Sequence, residues 1–577
     1  MRSMAGSAAV EMTGTVAGLA SPRRFRWAIC ASLIALPVLI AAKFVHAFAV
    51  NVPFWDEWES VPYVLAAISK RLTFADLWRQ HNEHRIFFPR LVMLGLYRFG
   101  RMDSRVLMYA NCAILAFTIA ILLAEHLRCR GNTTSAWLSF VPAAWILMSL
   151  RQWENLLWGW QIQIFMCSGC LVLALYSLSR ATRPAWLCTA VAAGVVCCYS
   201  FSSGMLVWPV GLFHIVVTNQ GAIRRRVAWI WTCAGVAALA VYFVGYHPPE
   251  HHPSPFTFIR HPFHAAAYFL ASVGGPVATD LGGAITAGTL LCAGAVATAW
   301  WSPTRAAPLR STMAASLIVF SASASAMMMV GRVGFGPSQA LASRYTTITA
   351  LGVVGLYLLI VQNMDADPRA PRMLAFLLGM LAIGQASVSV AAFEEAKASQ
   401  QHRRQLARAL KQYRSETDAM LAALYPDAAI VRARASILEQ HRLSVFARGS
   451  ATLGSLSGAP PFSVDYINGA PPQQLPPIRA GTPLRVSGWA VDDLARAPAE
   501  GVIVFIDDTP GTAARYGLDR PDVAQVLGNP GYRNSGFAAE VPTSSLTAGR
   551  HSIGLRVFNA AGTGIYEPPA RFTFEVE

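Results

Sequence analysis

The chain has 577 residues, of which 54% are hydrophobic and only 14% charged, with a mean hydropathy of +0.40. Such a balance excludes an ordinary soluble assembly of three or four domains and marks an integral membrane protein. The net charge of +16, from 47 Lys+Arg against 31 Asp+Glu, does not point to nucleic acid, because the arginines sit in short clusters between apolar runs, where they orient membrane spans.

A crossing takes roughly 20 largely apolar residues. Eleven runs qualify, at about 27–49, 105–124, 136–150, 159–179, 185–200, 205–218, 227–246, 280–301, 311–330, 346–363 and 373–392. Arg23, Arg24 and Arg26 precede the first, and every second loop afterwards carries arginine: Arg128 and Arg130, Arg180 and Arg183, Arg224 to Arg226, Arg305 and Arg310, Arg369 and Arg372. The positive-inside rule puts these loops in the cytoplasm, with the segment 1–26. The first run is a retained anchor rather than a cleaved signal, since its polar lead-in is long and further spans follow. The stretch 258–279, broken at Gly274-Gly275-Pro276, reads either as a twelfth span, which would put Arg305 and Arg310 outside, or, preferably, as an interfacial or half-inserted helix. That choice keeps the arginine alternation and places everything after residue 393 outside. The ten cysteines all precede residue 300, and Cys167-x-x-Cys170 reads as small packing residues of a span.

The outer loops then hold most of the acids, histidines and polar aromatics. The largest, about 50–104, opens with Asn51-Val-Pro-Phe-Trp-Asp56-Glu57-Trp58-Glu59 just beyond the first span. A carboxylate there suits a general base toward a hydroxyl, the plainer alternative being the cap of a loop helix near Pro62. Thr73 and Asp76 have capping-box spacing, opening a short amphipathic helix with Phe74, Leu77 and Trp78 on the lipid surface. His81-Asn-Glu83-His84-Arg85 follows, offering cationic and hydrogen-bonding groups for a phosphate, or else a solvated interfacial strip or helix start. The same His-x-x-His makes a divalent metal ion a further candidate. Lys70, Arg71, Arg79, Arg85, Arg90, Arg98, Arg101 and Arg105 give this loop a positive excess that anion binding would explain.

Two more outer loops extend the pattern. Arg151-Gln-Trp153-Glu154-Asn155-Leu-Leu-Trp158-Gly-Trp160-Gln161 mixes tryptophan with hydrogen-bonding side chains, suited to sugar or equally to an interfacial aromatic belt. Arg332 and Ser343-Arg344-Tyr345 bring two arginines to the outer edge, for a lipid phosphate or for headgroup snorkelling. His247, His251, His252, His261 and His264 are too irregularly spaced for a metal motif.

After the last span, Leu406, Leu410, Tyr413, Leu421 and Leu424 mark 394–425 as an amphipathic helix packed on something, ended by Pro426 and Asp427. From 448, short alternating runs such as Leu484-Arg-Val-Ser-Gly-Trp-Ala-Val and His551-Ser-Ile-Gly-Leu-Arg-Val-Phe predict a small all-β sandwich. The domain plan is therefore a cytoplasmic segment 1–26, a transmembrane region 27–392, an extracytoplasmic helical linker 393–447 and a β-sandwich 448–577. Gly488-Trp489-Ala-Val-Asp492-Asp493 and Arg520-Pro-Asp522-Val look like the immunoglobulin-like modules appended to bacterial glycosyltransferases; Trp489 itself reads as core.

A polytopic α-helical chain with an Asp-Glu pair in a large first outer loop and an exported C-terminus resembles the GT-C superfamily of lipid-phosphate-sugar-dependent glycosyltransferases, in particular the bacterial protein-mannosyltransferase and aminoarabinose-transferase type. The resemblance covers roughly 25–392. It implies Asp56 as catalytic base with Glu57 as partner, and a polyprenyl-phosphate-linked sugar as donor. His81, His84, Arg85, Arg332, Arg344 and Tyr345 are then candidates for the donor phosphate, and Trp153, Glu154, Asn155 and Gln161 for sugar or acceptor. The acceptor is a glycan, glycolipid or protein hydroxyl, and the location a bacterial inner membrane with an extracytoplasmic C-terminal domain. An O-antigen ligase or polymerase would carry its chemistry in a late loop, and a transporter or flippase of lipid-linked sugars would show mid-membrane charges and repeats; here the first loop is the richest, and Asp280 is the chief charge near a span.

Overall fold

The computed structural model describes residues 22–249, 253–254, 256–301, 312–362, 369–447, 454–456, 458, 460–479, 481–507, 511–544, 546–560 and 564–577. Arg305, Arg310, His251, His252, most of the segment 1–26 and the start of the sandwich at 448–453 lie outside them. The protein is a polytopic α-helical membrane protein followed by helices and a two-sheeted β region. Among the described residues eight helices are long and apolar enough to cross a membrane. They are Arg26–Phe48, Ser104–Arg130, Gly159–Leu178, Gly221–Phe243, Leu281–Trp300, Thr312–Phe335, Ser343–Gln362 and Pro371–Lys411. The remaining three apolar runs form shorter helices, Val141–Leu147, Pro184–Cys198 and Val207–Thr218.

Local chemistry sets the boundaries. Asp103 accepts the Arg105 amide at 3.0 Å to start the helix Ser104–Arg130, and Gly131, at φ +79°, ends it. Asp280, rather than standing as a mid-membrane charge, accepts the Gly283 amide at 2.7 Å at the start of Leu281–Trp301. The 258–279 stretch forms Thr257–Arg260 and the 13-residue helix Pro262–Gly274, too short for about 30 Å of hydrocarbon at about 1.5 Å per residue. That helix packs against Leu281–Trp301 at backbone distance: a Cβ on Gly288 would stand 1.9 Å from the Leu270 carbonyl oxygen. All ten cysteines are free, and Cys167 Sγ lies 3.8 Å from that of Cys197 rather than pairing with Cys170. At the far end of the Ser104–Arg130 helix, Glu125 is closed off by Arg128 at 2.6 Å and Arg180 at 3.0 Å, pinning helix ends together.

The last span and the expected amphipathic helix are one element, Ala370–Lys411, 42 residues or about 63 Å long. Nothing between Phe393 and Lys397 breaks a helix, so it continues well beyond any bilayer. It stops at Lys411, earlier than the apolar spacing suggests, because Thr417 caps a new turn, Asp418–Ala422, and Asp427 caps Ala428–Gln440 through the Ala429 and Ile430 amides at 2.8 and 3.2 Å. The partner of this apolar stripe is the loop between the first two spans. Leu406, Leu410, Tyr413, Leu421 and Leu424 share one buried cluster with Trp58, Val61, Tyr63, Ile86, Met93 and Trp160.

The C-terminal strands form two sheets, one ordered around Gly501–Ile506 and Gly549–Phe558, the other around Leu484–Asp492 and Gly536–Val541. Val502, Val504, Leu555 and Val557 of the first sheet and Val486, Phe537 and Val541 of the second fill a common core. Trp489 packs half-buried against Val491, Val523 and Tyr532. Arg520 joins Asp465 and Asp522, each at 2.6 Å, so this motif ties strand to helix. Arg408 of the long helix meets Glu500 at 3.5 Å, docking the sandwich.

Candidate functional site

The site is assembled from short, irregular elements between helices. Trp55–Glu59 forms a 3-10 turn a short extended segment after the first helix, which ends at Phe48, and is entered by Trp55 at φ +48°. This turn aims Asp56 and Glu57 in different directions. Asp56 keeps 34% of its side chain exposed and places Oδ2 3.6 Å from His81 Nε2. Glu57 is buried and receives three hydrogen bonds, from the Phe54 amide at 3.2 Å, Ser104 Oγ at 3.1 Å and the Trp160 amide at 3.2 Å. Burial pushes its carboxyl up to about 7, against the opposing pull of Arg403 and these donors. Glycine at 159 is required for this approach, since a Cβ there would lie 2.8 Å from Glu57 Oε1. Glu57 is therefore a strut joining three segments, not a second group beside Asp56.

His81 and His84 face each other across a tight turn, with His81 N–H to His84 O at 2.9 Å and the reverse bond at 2.8 Å. Asn82 takes the left-handed conformation, φ +48°, that such a turn needs. The pair is thus neither a helix start nor a solvated strip. His81 sits edge-on to Trp160 at 5.1 Å, whereas His84 stacks on Phe201 at 4.2 Å. The Ser202 amide donates to His84 Nδ1 at 3.1 Å, which puts the proton of the neutral ring on Nε2, 3.6 Å from Glu83 Oε1.

Burial lowers the His84 pKa from 6.5 to about 4. The folded state thus binds fewer protons than the unfolded chain between these values. The stabilisation is complete above pH 6.5 and is lost as pH falls toward 4, by up to about 3 kcal/mol. The expected result is a thermal midpoint that drops between pH 7 and pH 4.5 more steeply for the wild type than for His84→Gln; equal slopes would exclude His84 as the titrating group.

From His84 the network continues outward through several loops. Glu83 Oε1 meets Arg332 Nη2 at 2.6 Å, and the guanidiniums of Arg332 and Arg344 lie 5.9 and 5.5 Å from the centre of the Tyr345 ring. Arg344 meets Glu154 at 3.2 Å, and Glu154 also accepts from Ser343 Oγ at 3.2 Å. The Tyr345 hydroxyl accepts from Gln339, itself bonded to Tyr268. Asp56, His81, His84, Arg332, Arg344, Tyr345 and Glu154 thus form one connected network, with His84 and Tyr345 buried within it.

The other expected residues have internal work. Arg85 gives its guanidinium to the carbonyls of Tyr242, Trp78 and Val244 at 2.6, 3.1 and 2.5 Å, leaving its fork turned to backbone rather than to a phosphate. Arg90 bonds the carbonyls of Leu77 and Arg79, and Arg105 holds Asp103. Arg85 and Arg90 are therefore spent on backbone carbonyls, and Arg105 and Arg79 on carboxylates of the same loop. Asn155 is buried and donates to Arg344 O and Thr347 Oγ1, both at 2.8 Å, which fixes the Arg344 turn; Gln161 is buried, and Trp153 half-buried against the bundle core. The Thr73–Asp76 box is formed, yet of the three residues expected on the lipid surface only Phe74 is exposed, with Leu77 buried and Trp78 stacked beneath Arg85. Among the described residues no group of three or more His, Cys, Asp or Glu side chains is arranged to hold a metal ion.

No family model matches the chain, and no curated protein matches it. Among solved structures it is similar to a crystal structure of ArnT from Cupriavidus metallidurans bound to undecaprenyl phosphate, at 14% identity and a TM-score of 0.36, covering 80% of this chain and 83% of that one. That protein is of the aminoarabinose-transferase type.

Proposed function

We propose that the protein is a membrane glycosyltransferase that moves a sugar from a polyprenyl-phosphate-linked donor to an acceptor hydroxyl on the extracytoplasmic face of a bacterial inner membrane. The observation that carries this reading is Asp56: a partly exposed carboxylate just beyond the first span, beside His81, on a surface that also holds Arg332 and Arg344. A base and a cationic leaving-group site on one surface at the membrane edge are what an inverting transfer from a lipid carrier needs. Nucleotide sugars are not supplied outside the cytoplasm, so the donor must arrive through the bilayer, and a membrane-edge site admits its tail sideways.

In this reading Asp56 takes the proton of the acceptor hydroxyl as its oxygen attacks the anomeric carbon. The bond from that carbon to the phosphate oxygen breaks, and polyprenyl phosphate departs with its charge against Arg332 and Arg344. His81 orients the Asp56 carboxylate, and Glu154, partly exposed beside Arg344, meets the sugar. The sandwich, immunoglobulin-like in its two-sheet plan, lies on the same side and covers or spaces that face. The test is transfer of radiolabelled sugar from membrane polyprenyl-phosphate donors in vesicles carrying the protein. Transfer above that of empty vesicles, across a panel of glycan, glycolipid and protein acceptors, is expected; none with any donor and acceptor pair would overturn the reading.

A further inference from the structure

The turn that carries Asp56 does not support itself. It is five residues long, and its first residue, Trp55, holds a left-handed backbone that L side chains rarely adopt. Besides the Glu57 bonds to Ser104 and Trp160, it is held by chain from the far side of the last span, 366 to 376 residues later in sequence. The Trp55 amide donates to the Leu424 carbonyl at 2.8 Å. Tyr425 donates its hydroxyl to Glu59 Oε1 at 2.6 Å, and Arg434 Nη1 donates to the Trp58 carbonyl at 2.6 Å while standing 3.5 Å from the same Glu59 oxygen. Beneath the turn, Arg403 is buried with its guanidinium 4.6 Å over the Phe54 ring and donates to the Leu157 carbonyl at 2.5 Å. Its charge lies within reach of both Glu57 and Glu154, acids of two separate segments.

These contacts are specific where a merely covering helix would be greasy. The apolar stripe of Leu406, Leu410 and Tyr413 continues backward at helical spacing onto position 403, where an arginine stands instead of an apolar residue. Burying it costs more than burying leucine, unless it holds something that leucine could not.

We infer that Arg403 and Arg434 are positioning residues, through which the helices after the last span clamp the 54–59 turn and set the direction of Asp56. The clamp belongs to the transferase reading above, in that Asp56 is the group it aims. Chain beyond the membrane thereby becomes part of the catalytic apparatus without touching substrate.

The test uses the full-length protein in lipid nanodiscs as wild type, Arg434→Ala and Arg434→Lys, a site chosen because Arg434 is half-buried and its loss leaves the core intact; Arg403→Ala is run alongside. Hydrogen exchange is followed at the amides of residues 55–60 and, as reference, in Ser104–Arg130. Loss of hydrogen bonds from a charged group is expected to speed exchange in the turn by about ten-fold or more, with the reference helix unchanged and lysine restoring part of the protection. In the transfer assay kcat falls by a similar factor while KM for the donor stays constant. Unchanged exchange in the turn overturns the clamp, even if transfer falls. Faster exchange with undiminished transfer overturns the positioning role. Faster exchange in a protein whose wild type transfers no sugar upholds the clamp and counts against the transferase reading alone.

Discussion

Asp56→Asn is expected to abolish nearly all sugar transfer, lowering kcat by a factor of about 10² to 10⁴, while leaving the fold intact. The change removes only the ability to accept a proton. Asparagine has the same shape, and the side chain it replaces is partly exposed, with the His81 ring at 3.6 Å. No core contact is lost, so stability is expected to stay within about 0.5 kcal/mol, as for ordinary surface substitutions. Glu57 makes the opposite case: buried, accepting three hydrogen bonds, it is built into the packing, and a change there confuses chemistry with folding. Transfer rates measured in vesicles, with thermal midpoints for both proteins, separate these effects. A folded Asp56→Asn protein with wild-type transfer would remove Asp56 from the mechanism.

The periodic part of the molecule was legible in the sequence because helices and strands announce themselves through apolar spacing. All eleven apolar runs lie in helices, and the stripe at Leu406, Leu410 and Tyr413 does bury against a partner. The identity of that partner was not legible, since nothing in 394–446 encodes its approach to a loop roughly 300 residues or more earlier. The site shows the same division. Asp56, His81, Arg332, Arg344 and Glu154 stood out as polar groups near span ends, and they do converge. What composition could not tell was which polar groups are spent internally. Arg85 and Arg344 look alike in sequence, yet one meets three carbonyls and the other a single carboxylate. Glu83 drew attention only as the residue between two histidines, although it links His84 to Arg332. Arg403 carried a signal that went unread, a charge in line with an apolar stripe.

Arg344 and Arg332 carry the second large effect. Each meets an acid, Arg344 with Glu154 at 3.2 Å and Arg332 with Glu83 at 2.6 Å, and both guanidiniums lie near the Tyr345 ring, at 5.5 and 5.9 Å from its centre. A departing phosphate between them would find two positive charges already oriented by those acids, so little reorganisation is needed as its charge develops. Arg344, with 37% of its side chain exposed, is the more open to a ligand. Arg344→Ala is expected to lower kcat/KM for the lipid-linked donor by about 10²-fold or more, with most of the loss in kcat, because the phosphate carries more charge in the transition state than in the donor. Lysine at 344 should recover only part, since it restores charge without the planar fork. Arg332→Ala should fall in the same direction, and the double variant by less than the product of the two if both serve one phosphate. Steady-state rates against donor concentration measure all four proteins, together with competition by free polyprenyl phosphate. Unchanged kcat/KM in folded Arg344→Ala, with undiminished competition, would place the leaving group elsewhere on the outer face and leave Arg344 as the partner of Glu154.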